Sequence, residues 1–295
     1  MLEIKDSGMD EGFQGPVRSI RIEVSKISKH NDSYVEGPRV LLHSIALDKE
    51  GRKIEEIEVN VNDLTTTRSV YSYDIEGLLT VKQQYHNERP TTKMLYSYDA
   101  AGRLIEETNQ TLEGMPLNRT SYAYDAEGNN IEVANYQPSG LLSARIISRY
   151  DDKGRLIEAI FCGGHGSGII TRSGEGVAIV APANRILKVS GDPCRDGLLI
   201  SRLVVHYHEQ QGETEVIRCT KDDLPLSRTI TTGNTESEHI IISQYEANGS
   251  LQDKQEHHRT FDTHDNWIKD TKSVWDAESG KFEPSSITYR TITYY

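Results

Sequence analysis

The chain has 295 residues, 36% of them hydrophobic and 26% charged, with a formal net charge of −12. Forty-five acidic against 33 basic side chains, with no basic stripe, would repel a phosphate backbone, which excludes nucleic acid as a partner. The mean hydropathy of −0.58 is lean for a thick core, and no apolar run approaches a spanning helix, so no membrane span is expected.

Residues 1–16 are polar and glycine-containing and read as a flexible N-terminus without a signal-peptide apolar region. Residues 17–27 alternate, with Val17, Ile20, Ile22 and Val24 at apolar positions, and predict a first strand. His30-Asn31-Asp32-Ser33 is a turn signal, and residues 35–47 lead into Leu47-Asp48-Lys49-Glu50-Gly51-Arg52.

A period then sets in. The aspartates Asp48, Asp74, Asp99, Asp125 and Asp151 follow one another at steps of 26, 25, 26 and 26 residues. Three positions after each stands Gly51, Gly77, Gly102, Gly128 or Gly154. Tyr73, Tyr98, Tyr124 and Tyr150 precede four of the aspartates, and Tyr71, Tyr96 and Tyr122 stand two residues earlier in three copies. Asp opening a turn bonds the backbone ahead of it, and the glycine supplies a positive φ, so each copy predicts a hairpin loop. A second set of turn signals lies at mid-repeat, in residues 60–63, 86–89, 112–114 and 138–140. The chain therefore reverses about every 13 residues, in strands of roughly 8–9 residues.

Residues 161–197 interrupt this rhythm with a glycine-rich, irregular insertion. Degenerate copies return over 198–295: His206-Tyr207-His208-Glu209 with Gly212, Gln244-Tyr245-Glu246 with Gly249, and Phe261-Asp262-Thr263-His264-Asp265, where Asp265 takes the glycine slot. The terminal residues 287–295 alternate like a final strand.

The stretches YSYDAAGRLIEET, YAYDAEGNNIEV and RYDDKGRLIEA resemble the YD (Rhs) repeats of bacterial surface and toxin-carrying proteins. The tail resembles the closing repeat of short bacterial YD-repeat proteins. The resemblance is clear over residues 45–160, weaker over 200–295 and absent over 161–197. It implies β-hairpin repeats and an exported or surface location, although the chain shows no export signal. Large members resemble a β shell around a cargo, and this chain carries too few repeats for one. The expected fold is all-β: a long antiparallel meander of hairpin repeats curled into a trough, half-shell or partly closed barrel.

Several groups are candidates for chemistry. The tyrosine rows Tyr71, Tyr73, Tyr96, Tyr98, Tyr122, Tyr124 and Tyr150 could face sugar rings, or simply pack across strands. His206 and His208 share a strand face at a spacing that metal sites use, with His257, His258 and His264 as further ligands, yet they occupy the tyrosine slots of a decayed motif. Cys162 and His165 lie in the glycine-rich stretch and could supply a nucleophile and base, but Cys162 also stands 11 residues after Asp151, in the slot of Tyr85 and Tyr136. Three cysteines, Cys162, Cys194 and Cys219, are too few for a disulfide framework. The repeated aspartates offer one carboxylate per turn, too few for calcium, and read as turn caps. Glu55-Glu56 and Glu106-Glu107 point to opposite strand faces and form no paired-carboxylate site.

These features predict a non-enzymatic repeat scaffold, without cofactor or metal, that binds a protein or glycan at a bacterial surface or after secretion. The alternatives are an enzyme or effector with its site in the insertion, and a structural fragment of a larger YD-repeat protein.

Overall fold

A computed structural model describes residues 13–31, 33–163, 198–234 and 236–295. The described residues contain strands and turns and no helix. The strands in chain order are β1 (Val17–His30), β2 (Ser33–Glu36), β3 (Val40–Leu47), β4 (Lys53–Val59), β5 (Thr66–Tyr73), β6 (Leu79–His86), β7 (Arg89–Tyr98), β8 (Leu104–Thr111), β9 (Pro116–Tyr124) and β10 (Asn130–Tyr136). They continue with β11 (Leu142–Tyr150), β12 (Leu156–Gly163), β13 (Leu198–His208), β14 (Glu213–Thr220), β15 (Pro225–Thr232), β16 (His239–Glu246), β17 (Leu251–Phe261), β18 (Trp267–Asp276) and β19 (Lys281–Tyr294). Phe161–Gly163, at the edge of the predicted insertion, thus belong to β12. The rest of the insertion lies outside the described residues, as do residues 1–12.

The turn chemistry explains the meander. At the third copy, Asp99 Oδ1 accepts from the backbone N–H of Ala101 and of Arg103, each at 2.9 Å, and Oδ2 accepts from Arg103 Nε at 2.8 Å. Gly102 N–H donates to the Asp99 carbonyl at 3.0 Å with φ of 77°. Asp48 and Asp151 repeat the pattern with Arg52 and Arg155. Each such hairpin shifts register by one residue just before the turn, as between Ser97 and Tyr98, which is the bulge that a three-residue loop brings. The strand faces are thereby held constant from repeat to repeat.

From β3 to β19 every strand pairs antiparallel with the next. The first strand then closes the ring. Along one edge β1 pairs with β19, from Val17 opposite Tyr294 to Lys26 opposite Ser286, and along the other it pairs with β3, from Ser19 opposite Ala46 to Val24 opposite Val40. Among the described strands, only β2, which pairs with the end of β1, stands outside this 18-stranded barrel.

The predicted trough, half-shell or partly closed barrel is therefore corrected to a closed barrel. The reason is a pairing between chain ends that no local period encodes. A sheet this long must leave two unpaired edges unless it closes, and one inserted strand satisfies both. The apolar core is correspondingly small and sits at that seam. Val17, Ile20, Ile22, Ile45 and Leu47 are buried together, with Phe13, Ile292 and Tyr294 packed against them. A second small cluster joins Ile160, Cys162 and Ile147.

Glycine substitutions separate backbone strain from crowding. A Cβ at Gly102 meets nothing within 4 Å, so Gly102→Ala carries only the left-handed penalty of about 1–2 kcal/mol. At Gly233, with φ of 89°, the Cβ falls 2.7 Å from the His239 carbonyl oxygen. Gly233→Ala should therefore cost more, about 2–4 kcal/mol. Urea unfolding of the two variants side by side checks the order.

Candidate functional sites

The turns gather into two rims. One carries the repeat motifs, with turns at residues 48–52, 74–78, 99–103, 125–129 and 151–155. Following the strands onward places 209–212 and 262–266 there as well. The Gln244-Tyr245-Glu246 copy turns at the opposite rim, so that motif has slipped by half a repeat.

At the motif rim the tyrosines link neighbouring repeats. Tyr73 donates its hydroxyl to the Lys53 carbonyl at 2.6 Å, Tyr98 to Leu79 at 2.9 Å, Tyr124 to Leu104 at 2.7 Å and Tyr150 to Asn130 at 2.8 Å. Each acceptor is the first residue of the strand after the preceding motif turn. The arginines add a second link: Arg52 lies 5.0 Å over the Tyr73 ring, Arg103 5.1 Å over Tyr124 and Arg155 5.1 Å over Tyr207. An aspartate thus caps its own turn and fixes an arginine, which in two of these cases lies over the tyrosine of the next copy. The bonds from Arg103 hold the Asp99 carboxyl below the usual range. Of the earlier tyrosines, Tyr71 is buried and donates to Glu56, and Tyr96 meets Met94 Sδ at 3.2 Å.

One sheet face bears a charge ladder. Glu55 pairs with Arg68 at 2.6 Å, Glu106 with Arg119 at 2.9 Å and Glu132 with Arg145 at 3.1 Å, while Glu215 pairs with Arg228. The arginines lie over Tyr85 (5.0 Å), Tyr136 (4.3 Å) and Tyr245 (5.5 Å) from Arg68, Arg119 and Arg228. Each pair is 13 residues apart, half a repeat. The spacing is visible in the sequence as opposite charges 13 residues apart.

The other face holds a buried polar network. His43 Nε2 donates to Glu56 Oε1 at 2.9 Å, Tyr71 donates to the other oxygen, and Lys53 Nζ lies 3.5 Å from Oε1. Lys82, also buried, sits 5.4 Å from the Tyr71 ring centre. Burial pushes the Glu56 carboxyl up, but the His43 bond, the Lys53 charge and the Tyr71 hydroxyl outweigh it and bring it down to about 2. Glu58 places an oxygen within 4.8 Å of the His43 and Glu56 ligand atoms.

The rim away from the motifs is apolar. Leu64 is 73% exposed, Leu224 62%, Met115 61% and Leu141 59%. Val61, Leu112, Leu117 and Leu226 are exposed on or beside the same tips, as are Tyr34 and Val35 on β2. β12 ends and β13 begins at this rim. Nothing in the hairpin period requires leucines at loop tips, and no sequence candidate included them.

The remaining candidates are scattered. Cys162 is buried and disulfide-bonded, which leaves no thiolate to act as a nucleophile, and Cys219 is free and buried. His165 and Cys194 lie outside the described residues. His206 and His208 share a face of β13, and His208 Nε2 is 3.6 Å from Glu215. They are three intervening strands from β17, on the order of 19 Å at sheet spacing, so His257 and His258 do not join them. His257 instead contacts Asp270 at 3.1 Å, and His264 stacks on Tyr294 at 4.2 Å.

No family model and no curated protein matches the chain. Among solved structures, it is similar to a porin-like protein from Bacteroides uniformis, with a TM-score of 0.45 and 10% identity over 95% of this chain and 98% of that one. A porin-like protein from Bacteroides vulgatus gives 0.27 and 10% over 92% and 97%. The Photorhabdus luminescens Tc holotoxin pore, with TccC3, gives 0.31 and 14% over 82% of this chain and 13% of that one. The expected absence of a membrane span is corrected here. It rested on apolar run length, which detects helices, whereas this chain's strands close into a barrel. A closed barrel is the β architecture able to cross a bilayer. No helix of the described residues is long and apolar enough to cross, and that leaves strands unaddressed.

Proposed function

We propose that the chain is a non-catalytic scaffold of YD-type repeats, exported or surface-located, whose apolar rim docks a protein. The observation that carries this reading is the gathering of exposed Leu, Met and Val side chains at several hairpin tips of one rim, while the motif rim is tied up in Asp–Arg–Tyr links. Exposed apolar groups clustered in one zone mark interaction surfaces more often than scattered ones do. The tips are mainly aliphatic, which suits a protein better than a sugar ring, and the net charge of −12 favours a basic partner. The disulfide at Cys162 suits an oxidising compartment, in keeping with the YD-repeat resemblance.

Photo-crosslinking in the native host tests the reading. A crosslinkable residue at Leu64, Met115 or Leu224 should give one discrete protein adduct. The same residue at Ile75, still more exposed but on the motif rim, should not. Adducts from Ile75 alone, or none from the three rim positions, would overturn the proposal. Replacing Leu64, Met115 and Leu224 with serine should abolish the adduct formed from a probe at Leu141 and leave the unfolding midpoint within about 2 °C, since surface changes of this kind are nearly neutral.

A further inference from the structure

The sheet face that bears the charge ladder also carries a cluster of different chemistry. At the β16–β17 hairpin Glu256, opposite Ile241, meets two histidines and no arginine. His239 Nε2 lies 2.8 Å from Glu256 Oε1, and His258 Nε2 lies 3.5 Å from the same oxygen. The two imidazoles are directly opposite in the register and stack with ring centres 4.6 Å apart and planes 8° from parallel. One ligand atom from each of the three residues falls within a 4.8 Å span.

We propose that His239, Glu256 and His258 form a binding site for a divalent transition-metal ion, with Zn²⁺ the best fit. Imidazole nitrogen and carboxylate oxygen are the donors that zinc takes, at about 2.0–2.2 Å from the ion. Donors bound to one tetrahedral ion stand roughly 3.3 Å apart by that geometry, and the observed 2.8 and 3.5 Å bracket it. The three residues come from adjacent strands of one hairpin, so the backbone fixes their spacing. The histidines are half exposed and Glu256 less so, which leaves an approach for the ion and a fourth position for water. An arginine in either histidine position would close the site by occupying the carboxylate, as Arg68 does at Glu55. The trio His43, Glu56 and Glu58 is different, because Tyr71 and Lys53 already engage Glu56.

Isothermal titration of chelator-treated, untagged full-length protein with Zn²⁺ tests the site, with Co²⁺ absorption as a second readout. The expected result is one saturable site of micromolar or tighter affinity and Co²⁺ bands of low coordination number. His258→Ala and Glu256→Gln should each weaken binding at least tenfold, and a His206→Ala/His208→Ala variant should bind as the parent does. Circular dichroism confirms that each variant is folded. No saturable binding by the parent, or unchanged affinity in a folded His239→Ala/His258→Ala variant, would overturn the proposal. The crosslinking result at the apolar rim does not bear on it, since the histidines stand near the opposite rim.

Discussion

Deleting residues 1–31 will leave a chain that no longer behaves as a single closed barrel. Size-exclusion chromatography with light scattering should show broad, concentration-dependent assemblies where the intact chain is monodisperse, and thermal unfolding should lose its cooperative transition. Removing β1 strips pairing partners from β3 and β19 at once and creates two exposed edges. The β19 edge is 14 residues long and ends in the alternating TITY segment, the kind of long flat edge that recruits other strands. The deletion also removes Val17, Ile20 and Ile22 from the larger buried cluster. At about 1.5–3 kcal/mol for each buried aliphatic side chain, the loss is on the order of 5–9 kcal/mol, comparable to the whole stability of many domains. A synthetic peptide of residues 17–30 should partly restore monodispersity. A truncated chain that stays monodisperse with an unchanged unfolding temperature would show that β1 does not close the ring.

Much of this architecture was legible in the sequence because it is local. Asp99, Gly102 and Arg103 specify a turn within five residues, and repetition near every 26 residues specifies the hairpins between turns. Closure was not legible. Val17–His30 reads as an ordinary alternating strand, and nothing nearby says that its partners lie both at residues 40–46 and at 286–294. The half-repeat slip at Tyr245-Glu246 misled for the opposite reason, since a motif that looks like its relatives can still turn at the other rim.

The sites follow the same division. The Glu55–Arg68 and Glu106–Arg119 pairs could have been found by searching for opposite charges 13 residues apart. His239 could have been placed against His258 by reflecting the chain about the turn at Glu246–Gly249. The rim leucines carry no such signal, because their exposure depends on the loops and on where the barrel ends. The environment of Glu56 was equally hidden, since its burial depends on three strands and Lys53 at once.

That environment gives the second large effect. Glu56→Leu should destabilise the barrel at pH 7 by roughly 3–5 kcal/mol, the range for breaking a buried ionic network by removing one partner. His43 and Lys53 lose the carboxylate and Tyr71 loses its acceptor. Glu56→Gln keeps the volume but not the charge, and so isolates the electrostatic part. The folded carboxyl is held at about 2 against an ordinary 4.5, a difference of about 2.5 units, or about 3 kcal/mol. Because the folded value is depressed, that stabilisation is fully present above pH about 4.5 and is lost as the pH falls through about 2. The parent and Glu56→Gln should therefore differ by about 3 kcal/mol in urea unfolding at pH 7 and converge as the pH approaches 2. Tyr71→Phe, which removes one donor and leaves the charge pair, should cost less, about 1 kcal/mol. If the gap between parent and Glu56→Gln stayed constant from pH 7 down to 2, the glutamate would be acting through shape alone, and the network would not be what holds these strands together.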